Sequence, residues 1–143
     1  MSWDDFYRRR DALDAVLENP EGPLTFDKTL FADADEVLLA LHYRWMRQLT
    51  GRLGLALTEM KDRVDAVQQT WRALAEAQPA LRRVLDTHLT DADAVEREER
   101  LLALTSGLAE LSEPSAEIAR VGAAFLSLIR AEPVRRKKLV ASA

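Results

Sequence analysis

His42 stands alone on an apolar stripe, and few residues in this chain are better placed to do chemistry. Trp45, Met46, Met60 and Trp71 share its face at helical spacing, together with Leu38, Leu49 and Leu53. At ~100° per residue these positions fall within one sector of a helix. An imidazole among large apolar side chains has two physical readings. It can satisfy a buried hydrogen-bond partner inside a solid core. It can also be one of the few polar groups that orient a ligand in an apolar cavity. His88, the second of two histidines, falls beside Leu81, Val84 and Leu85 on the inner face of a later segment. The candidate pocket residues are therefore His42, Trp45, Met46, Met60, Trp71 and His88.

Other chemistry lacks the residues it needs. The chain has no cysteine, which removes disulfides and thiolate metal sites. Neither a His-Glu-x-x-His nor a Glu-x-x-His pair occurs, so helical zinc and di-metal carboxylate sites have no local signature. The five glycines are scattered, and none forms a phosphate-binding loop after a strand. No serine or threonine is spaced to use either histidine as a base. The expectation is a non-catalytic protein with no cofactor and no metal.

The elements that position these residues read as helices almost throughout. Ser2 with Asp5 forms a capping box for a first helix reaching about Leu17, with Phe6, Leu13, Val16 and Leu17 as its apolar face. Asn19-Pro20-Glu21-Gly22-Pro23 ends it. Leu24 to Ala32 is short and ambiguous. Asp33 with Glu36 opens the helix that carries His42. Its apolar phase continues through Val64, Val67, Trp71 and Leu74, which allows one long helix or two with a break at Thr58 to Asp62. Pro79 starts the next helix and Thr90 with Asp93 another. The last carries Ile118, Val121, Phe125, Leu128 and Ile129 and is expected to stop near Pro133. The fold class is all-α: one helical bundle of six or seven helices over residues 1–143, with an N-terminal helix and linker in 1–32, the bundle in 33–132 and a basic tail in 133–143.

Charge narrows the partners. The net charge is −4 although Arg135-Arg136-Lys137-Lys138 supplies four cations, so the body is more acidic than the total. Such a body opposes the phosphate neutralisation that dominates DNA affinity. The tail and Arg8-Arg9-Arg10 read as solvated helix charges. The N-terminus lacks the apolar run of a signal peptide, and no run spans a bilayer. A cytoplasmic protein with no membrane partner is expected.

The run from Phe31 through Asp33, Glu36, Leu38 and Leu39 to Trp45 resembles the junction between the DNA-binding and ligand-binding parts of TetR-type regulators. Residues from Val64 through Trp71 to Leu85 are similar to the middle helices of their effector domains. The resemblance implies a TetR C-terminal-domain-like bundle and a small apolar ligand. The family also places a helix-turn-helix before this junction. Here four residues separate Leu24-Thr25-Phe26 from Phe31, too few for a turn and a recognition helix. The expected function is thus a binding or interaction module with a degenerate or missing reader and no sequence-specific DNA binding. The alternative is a DNA-binding regulator with a shortened helix-turn-helix.

Assembly is read from the last helix. Ala119, Gly122 and Ala123 place small side chains on one face, and Leu126 points away from the inner stripe. TetR-like proteins pair through their last two helices. A homodimer through residues 94–131 is expected, with Gly122 near the closest approach.

Overall fold

The computed structural model describes residues 2–142, and side chains over 2–131. Its described residues form six helices: α1 Trp3–Leu17, α2 Ala34–Glu59, α3 Arg63–Ala77, α4 Pro79–His88, α5 Ala92–Ser106 and α6 Ser115–Ser142. No strand occurs among them. The all-α bundle expected from the sequence is what forms.

Caps set most boundaries. Ser2 accepts the Asp5 amide and Asp33 accepts the Glu36 amide, each satisfying an orphan donor of a first turn. Glu36 returns the favour by accepting the Ala32 amide. Asp62 accepts the Asp65 amide and starts α3, so the continuous apolar phase of α2 and α3 is split into two helices at Met60 to Asp62. Pro79 is the first residue of α4. For α5 the cap is Asp91 rather than Thr90, its carboxylate accepting the Asp93 amide.

The other end of α5 is closed from a distance. Gly107 adopts φ 79°, the left-handed conformation that favours glycine at a helix end. Arg63, the first residue of α3, donates to the carbonyls of Leu104 and Thr105. A cation on those carbonyls also suits the negative end of the helix dipole.

One expectation about helix ends needs correction. α6 does not stop near Pro133 but runs to Ser142. Proline has no N–H to give the carbonyl four residues earlier. That carbonyl, Ile129 O, instead accepts a hydrogen bond from Arg72 of α3 at 3.1 Å. Residues 18–33 hold no helix, so α1 is joined to α2 by an irregular linker. Arg9 fastens this linker: it donates to Leu30 O and to Glu36, and its guanidinium lies 4.6 Å from the Phe31 ring centre. Arg9 is therefore a structural clamp, not a solvated charge.

The core is built on α2. Leu38, Leu41, Trp45, Leu49 and Leu53 are buried against Trp71 and Leu74 of α3, Leu81 and Leu85 of α4, Leu102 of α5 and Phe125 and Ile129 of α6. The expected apolar faces were right for most positions, but Val95 and Leu108, expected on the face of α5, are exposed. Phe6 of α1 is half exposed, and Leu128 of α6 is 63% exposed.

Gly122 is buried where α6 crosses α5. A Cβ there would collide with the Glu99 backbone. The close approach expected between subunits is thus made within one chain. Ala119 is buried in the same seam, while Ala123 and Leu126 are half-buried.

Candidate functional site

His42 faces a carboxylate. Its Nε2 lies 3.6 Å from Glu98 Oε1, and both side chains are sealed from solvent. Glu98 Oε2 accepts the indole N–H of Trp45 at 3.0 Å and that of Trp71 at 2.8 Å. The two indoles meet edge to face, 5.6 Å between ring centres. Arg82 of α4 closes the cluster, with Nη1 3.5 Å from Glu98 Oε2 and its guanidinium 4.5 Å from the Trp45 ring centre. His42 Nε2 and Arg82 Nη1 approach the carboxylate without reaching hydrogen-bond geometry.

Helix spacing explains the convergence. His42 and Trp45 are three apart on α2 and project to one side. Trp71 comes from α3, Arg82 from α4 and Glu98 from α5. A second ion-pair layer lies outside: Asp86 takes Arg82 at 3.0 Å and Arg130 of α6 through both carboxylate oxygens, at 2.8 and 3.1 Å. Arg130 also stacks over Trp71, 4.8 Å from its ring centre.

Burial pushes the Glu98 carboxyl up. The His42 contact, the Arg82 charge and the two indole donors outweigh it and bring the group down from 4.5 to about 2. A carboxylate held ionised and enclosed in this way makes a poor proton donor or acceptor for an external substrate.

The sequence reading missed Glu98 because Glu96-Arg97-Glu98-Glu99-Arg100 looks like a solvated face. One signal was present. Ala94, Glu98 and Leu102 are four apart, so Glu98 lies on the buried stripe of α5.

The six candidate pocket residues separate into three places. His42, Trp45 and Trp71 converge on Glu98. Met46 and Met60 are half-buried on α2 and at its end. His88 lines a hollow of about 40 Å³ beside the end of α1 and the linker, away from His42.

The larger concavity lies elsewhere. A groove of about 740 Å³ opens between α1 and α2. Phe6, Arg10 and Leu13 form one wall, and Tyr43, Arg44 and Arg47 form the other. Arg44 is tied to Asp14 at 2.7 Å. Arg47 leans over Tyr43 at 5.9 Å and Arg10 over Tyr7 at 4.9 Å. Phe6 continues into an exposed aromatic group with Tyr7 and Trp3, at centre distances of 5.5 and 6.2 Å. The phase that places His42 inward places Arg44 and Arg47 outward, so one helix serves both the closed centre and the open groove.

Among the described residues no group of three His, Asp or Glu side chains could hold a metal ion. No described helix is long and apolar enough to cross a membrane. No family model, curated protein or solved structure matches this chain.

Proposed function

We propose that this chain is a non-catalytic helical binding module whose working surface is the groove between α1 and α2. The observation that carries this reading is the groove's make-up: aromatic and aliphatic walls with four arginines, in a volume of about 740 Å³. Ligand sites span roughly 300–1,000 Å³ and combine apolar walls with a few placed polar groups. The Glu98 centre, by contrast, is closed: its carboxylate accepts from two indoles and is faced by His42 and Arg82.

The TetR-type likeness supports a bundle that binds something in its helical part. The helix-free linker 18–33 supports a version without a DNA-reading helix. A homodimer is a second element of the proposal, and it rests on Leu128, whose side chain is 63% exposed on α6 beside exposed Ala124 and Ala131. The three lie one turn apart and form an apolar strip on the outward face of α6, which a second copy could cover.

Backbone amide spectra recorded against a library of small amphipathic compounds test the groove. Shifts clustered at residues 6–14 and 40–48 are expected. Shifts confined to other surfaces, or none, would remove the groove as the working surface.

A further inference from the structure

We infer that the α1–α2 groove receives an acidic amphipathic helix from a partner protein. This rests on the groove being the binding surface and names what fills it.

The surface has the composition of an interface centre. Trp3 is 77% exposed, Tyr43 64% and Phe6 50%. Tryptophan, tyrosine and arginine dominate the energetics of protein interfaces, and here they are contiguous. Trp3 and Tyr7 stack with centres 6.2 Å apart, Phe6 bridges to the groove, and Arg10 and Arg47 lie over Tyr7 and Tyr43. Ring contacts of this kind restrict side chains before a partner arrives, which lowers the ordering cost of binding.

Charge selects the occupant. Four arginines line the groove, and three are already paired: Arg9 with Glu36, Arg10 with Asp11 and Arg44 with Asp14. Among the described residues Arg47 has the Tyr43 ring beside it but no carboxylate within ion-pair distance. An incoming glutamate or aspartate completes it. A second copy presenting the same patch would set arginine against arginine. The run Arg135–Lys138 carries the same sign and is excluded likewise. Nucleic acid draws its affinity from many neutralised phosphates, and one uncommitted arginine supplies too few such contacts. With no strand among the described residues, an added β-strand finds no edge, whereas a groove between two helices accepts a third helix through its apolar face.

The test uses a fluorescein-labelled amphipathic peptide helix of about four turns, with glutamates on one face and leucine and phenylalanine on the other. A twin carries lysine in place of glutamate. Anisotropy titrations of the full chain should show saturable binding of the acidic peptide. The lysine twin should bind at least roughly tenfold more weakly, as should the acidic peptide to Arg47→Glu or Tyr43→Ala. Both variants alter exposed side chains, and circular dichroism verifies that they fold. Failure of the acidic peptide to saturate, equal binding of the twin, or an Arg47→Glu variant with unchanged affinity overturns the inference. So does binding of oligothymidylate at this surface, or Arg47-dependent self-association seen by light scattering. Dodecanoate shifting the groove amides without any peptide binding also overturns the helix, while the groove remains a binding surface. Groove amides unmoved by either probe remove both readings.

Discussion

The imidazole of His42 and the carboxylate of Glu98 face each other at 3.6 Å inside the bundle, on helices that are far apart in sequence. Replacing His42 with leucine keeps the volume and removes one of the groups that stabilise the buried anion. Trp45, Trp71 and Arg82 remain, so the fold should survive. The expected loss is about 1–3 kcal/mol, the effect of under-satisfying a buried polar group. Urea unfolding measures it. A variant as stable as wild type, or more so, would mean that Glu98 does not depend on His42.

Glu98 itself should matter more. Removing one member of a buried charge cluster leaves the others uncompensated, with a typical loss of about 3–5 kcal/mol. Glu98→Ala strands two indole donors and leaves Arg82 with Asp86 alone, so it should lie in that range, as should Trp45→Ala or Trp71→Ala through lost packing. Glu98→Gln keeps the shape and an acceptor, so its loss should be smaller than that of Glu98→Ala. Equal losses in the glutamine and alanine variants would assign the effect to shape instead of charge.

The same carboxylate sets an acid limit. It is protonated near 4.5 when unfolded and near 2 when folded, so the unfolded chain takes up its proton first as pH falls. The stability it contributes is complete above about pH 4.5 and is lost progressively toward pH 2. Urea midpoints between pH 6 and roughly pH 2.5 should fall for wild type and fall less steeply for Glu98→Gln. Parallel curves for the two proteins would show that other carboxylates govern acid unfolding.

Why the helices were legible and the site was not follows from particular residues. Ser2, Asp33, Asp62 and Pro79 mark helix starts by local chemistry, and the stripe from Leu38 to Leu74 has a period visible in one dimension. Glu98 and Arg82 become a centre only when α4 and α5 bring them to the indoles. Sequence neighbours disguise both, since each lies in a run of charges or beside one. Phe6 misled in the opposite direction. It shares a stripe with Leu13, which suggested core, but near the start of α1 that stripe lines the open groove.

Gly122 yields a prediction about the α5–α6 seam. The glycine lies against the backbone of Glu99, which cannot move aside as a flexible side chain could. Gly122→Ala should therefore push the two helices apart and destabilise by at least about 1–3 kcal/mol, the usual range for overpacking. The gain in helix propensity from alanine, up to about 1 kcal/mol, is too small to offset this. A variant with an unchanged thermal midpoint would show that α5 and α6 do not approach so closely.

Assembly has to be tested at a residue that the seam does not use, and Leu128 is that residue. It is 63% exposed, whereas Gly122 and Ala119 are consumed inside the chain. A Leu128→Asp change puts a charge on the outward face of α6 with little expected effect on a monomer, since surface substitutions usually stay within about 0.5 kcal/mol. If α6 pairs with its copy, the new charge must be desolvated in the contact, and two of them face each other across a two-fold axis. Light scattering should then give a dimeric mass for wild type and a monomeric mass for Leu128→Asp at the same concentration. A wild-type protein that is monomeric throughout, or a variant that remains dimeric, would place the exposed leucine outside any subunit contact.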